Sequence, residues 1–189
     1  MRIDHVIWKA DDLDRGAAHV TAEYGLREGG GGRHVGIGTH NRTFPLGGGY
    51  LEVLAVIDPE EATRSPLGQA IVAAPEGLFG WAVAVEDVEA VAERLGLALM
   101  RIERDGMTAS LAGVDESMAE PPLPFFIQRD PGSVNPSLRG DAGGIAWLEL
   151  GGDAERMRTW LDGADLALRF ADGAPGLHAV GLGSGAVIR

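Results

Sequence analysis

The sequence predicts an α+β fold of repeated βαβββ modules, the first two paired into a curved mixed sheet around a cleft. Three observations carry that prediction. A β-branched, apolar run followed by an acidic helix start occurs three times along the chain. The helix starts of the first two copies, Asp12-Leu13-Asp14 and Asp87-Val88-Glu89, superpose. After each helix pattern come short β-like runs broken by Gly and Pro.

The first module spans residues 1–58. Ile3 to Trp8 reads as its opening strand. Asp11 and Asp12 supply capping chemistry and favourable charge for a helix start. Leu13, Ala17, Val20 and Tyr24 then form one apolar stripe, and Gly25 closes the helix. Arg33–Gly38, His40–Leu46 and Tyr50–Ile57 read as the three following strands.

The second module spans residues 78–130. Leu78 to Val85 is its first strand, and Val88, Val91, Ala92 and Leu95 face the core from a helix ended by Gly96. Ala98–Glu103, Met107–Ala112 and Leu123–Arg129 complete it. A third, smaller βαβββ-like unit occupies residues 143–189 on the same domain. Its strand is Gly144–Leu150, its helix face Ala154, Met157 and Leu161, and its later strands Leu166–Phe170, Leu177–Leu182 and Ala186–Arg189. Residues 58–76 and 130–143 read as connectors. A lone four-stranded module leaves one sheet face bare, whereas two paired modules curve around a pocket.

Composition narrows the function. The 189 residues, 45% hydrophobic and 23% charged, suit a soluble globular protein with one large or two small cores. A net charge of −12 argues against binding of nucleic acid through phosphate contacts and mildly favours a cationic small ligand. Zero cysteines exclude disulfides, a thiolate nucleophile and thiolate metal sites. No apolar run reaches the length of a membrane span or a signal peptide, so a cytoplasmic location is expected.

His5, opening the first strand, and Glu52, inside the fourth, are the leading candidate site residues. Both types ligate divalent ions, and both also work as a hydrogen-bonded pair without an ion. His40 and Asn41, in Gly38-Thr39-His40-Asn41, are pocket groups or a polar turn, with His40 a candidate third ligand. Trp8 and Trp81 belong to the core or the pocket wall, and Gln128 is the nearest polar residue on the last strand of the second module. His19 reads as surface, and His34 and His178 as incidental. Gly29–Gly32 lacks a following helix and a Lys-Ser/Thr, so it reads as a flexible hairpin or loop lip rather than a phosphate loop. Gly181-Leu-Gly-Ser-Gly185 falls between strands and is a hairpin, not a nucleophile elbow.

The pattern resembles the vicinal oxygen chelate superfamily, and within it the glyoxalase-like domain proteins. Asp4-His5, Gly38 to Asn41, Tyr50-Leu51-Glu52, Pro124 to Ile127 and Arg139 to Leu150 carry the resemblance, which covers nearly the whole chain. It implies a glyoxalase-like lyase or isomerase acting on a small oxygen-bearing molecule, with a divalent ion (Zn, Ni, Mn or Fe) or none. Metal-using members take ligands from the first and last strands of each module, which marks His5 and Glu52 as ligands and catalytic groups. In the second module the same positions hold Gly80 and Pro124, which have no ligating side chain; the third has Gly144. With His40, the set becomes the two-His, one-carboxylate triad of a non-haem Fe(II) enzyme, a dioxygenase-like alternative. The other alternative is a non-catalytic binder similar to the superfamily's antibiotic-sequestering proteins, with aromatic walls stacking on the ligand. The implied partners are a small molecule and, as an open alternative to a monomer, a second copy in a homodimer, with neither nucleic acid nor membrane.

Overall fold

The computed structural model describes residues 1–104 and 106–189. The first module consists of β1 (Arg2–Lys9), α1 (Leu13–Tyr24), β2 (Gly30–His34), β3 (Thr39–Pro45) and β4 (Tyr50–Val56). Asp12 caps α1 by accepting the Arg15 N–H at 2.8 Å, and Gly25 ends it at φ 67°. The helix sits close on the sheet because Gly16 has no Cβ; one would lie 2.6 Å from the Ala10 Cβ. β2 begins at Gly30 rather than Arg33, so the glycine tract is one arm of the antiparallel β2–β3 hairpin. Close approach explains this: a Cβ on Gly31 would lie 2.0 Å from the Asn41 carbonyl oxygen.

The stretch 58–76, expected as a connector, contains α2 (Pro59–Ala62) and α3 (Pro66–Ala73). Asp58 accepts the Glu61 N–H at 2.9 Å and Ser65 accepts the Gly68 N–H at 3.0 Å. In each helix a proline occupies the first turn, where its missing N–H costs nothing. The second module is β5 (Gly77–Ala84), α4 (Val88–Leu95), β6 (Leu99–Arg104), β7 (Met107–Ala112), α5 (Val114–Ala119) and β8 (Phe125–Arg129). Asp87 caps α4 through the Ala90 N–H. The helix α5 is inserted before the last strand.

Eight strands form one sheet in the order β2-β3-β4-β1-β5-β8-β7-β6. In each module the first strand runs parallel to the fourth, and β1 pairs antiparallel with β5 at the centre. The two halves are therefore related by a pseudo-twofold axis. One face takes helices α1 and α4; the other curls around a pocket roofed by α3 and α5. Val6, Trp8, Leu51, Trp81 and Phe126 belong to the outer core, whereas Ile7, Leu54, Phe125 and Ile127 belong to an inner one. The period-two alternation of strands produces this division.

A 3-10 turn at Pro136–Leu138 precedes the third unit, β9 (Ile145–Gly151), α6 (Ala154–Trp160), β10 (Leu168–Phe170), β11 (Gly176–Leu182) and β12 (Val187–Ile188). Its elements come in the expected sequence, but its strand order is β10-β9-β11-β12. The short β10 lies parallel beside β9, where the crossover through α6 delivers it. This unit covers the outer face of the second module. Trp160 tilts over Phe126 with ring centroids 5.7 Å apart and donates from Nε1 to the Pro124 carbonyl at 2.9 Å. Truncating a ring as buried as Phe126 to alanine costs about 3–5 kcal/mol. Among the described residues no helix is long and apolar enough to cross a membrane.

Candidate functional site

The concave face holds a cavity of about 100 Å³ that opens to the surface. All eight strands of the large sheet contribute to its wall, with Leu67 and Ile71 from α3 and Val114 and Met118 from α5 as roof. The first module supplies the polar wall: His5, His34, Thr39, Tyr50 and Glu52. The second supplies only apolar side chains, among them Phe79, Met100, Met107 and Phe125.

His5 is held on every side. Its ring stacks on Tyr50, its register partner on β4, with centroids 4.6 Å apart, and meets the edge of Phe125 at 5.5 Å. Nδ1 lies 2.8 Å from Asp4 Oδ2. Asp4 is fully buried, and Arg129 clamps it through Nη1 to Oδ1 at 2.6 Å and Nη2 to Oδ2 at 2.8 Å. Burial pushes the Asp4 carboxyl up, but hydrogen bonds from His5 and Arg129 outweigh it and hold the group well below the usual carboxylate range. An ionised Asp4 only accepts, so the network assigns a proton to His5 Nδ1. Nε2 is left facing the pocket floor.

There Nε2 stands 3.6 Å from Glu52 Oε2. The other carboxylate oxygen accepts from Asn41 Nδ2 at 2.6 Å and lies 3.7 Å from His34 Nε2. Asn41 is itself oriented, because its Oδ1 accepts the Gly32 N–H at 2.9 Å. His34 is fixed through Nδ1, 2.8 Å from the Thr39 hydroxyl. Glu52 therefore sits between two imidazoles whose Nδ1 atoms are both engaged and whose Nε2 atoms both point at it.

Of the residues singled out in the sequence, His5 and Glu52 come together, and Asn41 joins them by holding Glu52. His40 does not: Thr39, Asn41 and Thr43 share the face of Glu52, which puts His40 with Arg42 and Phe44 on the opposite face. The set His5, Glu52, His40 is therefore not formed. Trp8 turns outward to His19 of α1, with ring centroids 5.6 Å apart. Trp81 also faces the outer core and donates to the Pro122 carbonyl at 2.7 Å. Gln128 serves the start of α4, accepting the Val88 N–H at 3.0 Å and donating to the Glu86 carbonyl at 2.6 Å. Three residues that the sequence reading did not bring to the site, His34, Tyr50 and Arg129, complete it. For His34 a signal existed: in the β2–β3 pairing it lies opposite Thr39, which shares the face of Asn41.

The wall across from His5 is apolar, and among the described residues no three His, Asp or Glu side chains are arranged to hold a metal.

The profile of the glyoxalase-like domain family matches residues 3–164. A hypothetical protein from Staphylococcus aureus superposes with a TM-score of 0.72 at 18% identity, covering 98% of this chain and 96% of its own. Methylmalonyl-CoA epimerase in complex with methylmalonyl-CoA and NH4+ gives 0.55 at 19% identity, over 70% of this chain and 96% of its own. The methylmalonyl-CoA epimerase from Mycobacterium tuberculosis gives 0.51 at 16% identity, over 69% and 87%. At such identities the likeness shows the fold. No curated protein matches the sequence. With its family profile spanning most of the chain and its paired βαβββ sheet, the chain belongs to the glyoxalase-like domain family.

Proposed function

We propose that the chain is an isomerase- or lyase-type enzyme that moves a proton at the carbon next to a carbonyl of a small molecule, using its own side chains. The observation that carries this reading is Glu52, a buried carboxylate aimed at by Nε2 of both His5 and His34 on the floor of an apolar pocket. Glu52 takes the α-proton, and the electron pair moves onto the carbonyl oxygen. His5 Nε2, when protonated, donates to that oxygen, while Asp4 and Arg129 hold the ring in place. His34 lines both the pocket and the groove at its mouth, which links Glu52 to solvent. Return of the proton to the other face, or to a neighbouring carbon, completes an isomerisation.

One observation favours a second reading, a non-catalytic binder. Met100, Met107 and Met118 give the pocket a pliable wall, as in proteins that accept several ligands. Incubation of the protein in D2O with a panel of small ketones and esters, followed by proton NMR, separates the two. Deuterium entering the α-position of a ligand faster than in buffer supports the enzyme. Ligands that bind by saturation-transfer NMR but never exchange overturn it in favour of the binder.

A further inference from the structure

The charge inventory of the pocket names a substrate class, and this inference rests on the proposed reaction. Among the described residues lining the cavity, Glu52 is the only carboxylate and no lysine or arginine is present. Arg129 does not line the cavity, and its terminal nitrogens bond Asp4 and the Tyr50 hydroxyl. His5 already faces one carboxylate through Nδ1, with a second 3.6 Å from Nε2. An anionic head group placed at the floor would therefore lie against Glu52 in a poorly hydrated site without a cation of its own.

The mouth repeats the pattern. Arg33 is paired with Asp58 and Glu61, and Arg101 with Asp130. Glu103 and Asp115 lie on the same rim. Its arginines are neutralised, and further carboxylates stand beside them. The apolar body of a ligand, in contrast, meets three methionines and two phenylalanines.

We propose that the site takes an uncharged carbonyl compound, a ketone or ester with an apolar body, and discriminates against carboxylates and phosphate-bearing carriers. The geometry gives the discrimination a source: Glu52 at the floor and the acidic rim at the mouth. Removing the floor charge should weaken the first barrier and leave the second.

Calorimetric titration of the native protein with 4-phenylbutan-2-one, 3-phenylpropanoate and hexanoyl-CoA tests this, alongside ketones and methyl esters of graded chain length. The ketone is expected to bind about tenfold or more tightly than the carboxylate of similar shape, the scale of one unpaired buried charge. In Glu52→Gln, checked by thermal unfolding to be folded, the carboxylate should gain affinity and the gap should narrow, while hexanoyl-CoA remains weak. Equal or tighter binding of the carboxylate by the native protein overturns the proposal. So does a gap that Glu52→Gln leaves unchanged, or a failure of every ketone and ester to bind. Discrimination without isotope exchange would reject the reaction and keep the ligand class; exchange without discrimination would do the reverse.

Discussion

Arg129 holds Asp4 across the seam between the two modules, with both carboxylate oxygens engaged at 2.6 and 2.8 Å by residues 125 positions apart. This pair fixes His5, because Asp4 accepts from its Nδ1 and Arg129 also reaches the Tyr50 hydroxyl at 3.2 Å. The second module thus contributes to the site by ordering it rather than by offering a ligand.

Asp4→Asn should be strongly destabilising, because it leaves the Arg129 guanidinium buried without its anion. Breaking such a pair costs about 3–5 kcal/mol, visible as a lower midpoint in thermal or urea unfolding. The pH dependence has a definite sign. The Asp4 carboxyl is held below its unfolded value by His5 and Arg129, after their bonds overcome the opposing effect of burial. Its contribution is complete above about pH 4 and is lost as the pH falls below that. Melting curves between about pH 2 and 6 should show an acid limb that is shallower in the variant.

Asn41→Ala removes the bridge between Gly32 and Glu52. A buried N–H and a carboxylate oxygen each lose a partner, at a cost of about 1–3 kcal/mol per group. Isotope exchange should fall by about tenfold, since Glu52 is no longer held in place. Ligand affinity measured by calorimetry should change less than the exchange rate.

The module pattern was legible because its signals are local. Asp12 and Asp87 cap helices with clear apolar stripes, and Gly25 and Gly96 end them. Asp58 and Ser65 carry the same chemistry, but α2 is a single turn, and α3 has Gln69 as its one polar side chain, so no apolar stripe stands out against a polar face. Nothing local announces α5, which has no side-chain cap. In the site, His5 and Glu52 were legible as residue types on strands. The faces were not, because one step along β3 separates Asn41, which meets Glu52, from His40, which does not. The contact of Asp4 with Arg129 depends on the order of strands in the sheet, which no local pattern encodes.

His34→Gln and His40→Gln test that face assignment directly. The first removes the imidazole beside Glu52 and should slow isotope exchange by about tenfold or more, with partial recovery on adding free imidazole. The second alters the opposite face, so exchange should stay at the native rate and stability within about 0.5 kcal/mol. Equal effects of the two would contradict the arrangement.

Prolonged dialysis against a chelator should leave the exchange rate unchanged, because the proposed proton transfer uses the protein's own side chains. Loss of exchange that Zn²⁺, Ni²⁺, Mn²⁺ or Fe²⁺ restores would show that the polar wall rearranges to bind one.

The most direct measurement of the central claim is the rate of α-deuterium incorporation by native protein and by Glu52→Gln under saturating ketone. With Glu52 as the proton-transfer base, the variant should bind the ketone at least as well and exchange its proton about 100-fold or more slowly. A variant that binds and exchanges at the native rate would contradict the role assigned to Glu52.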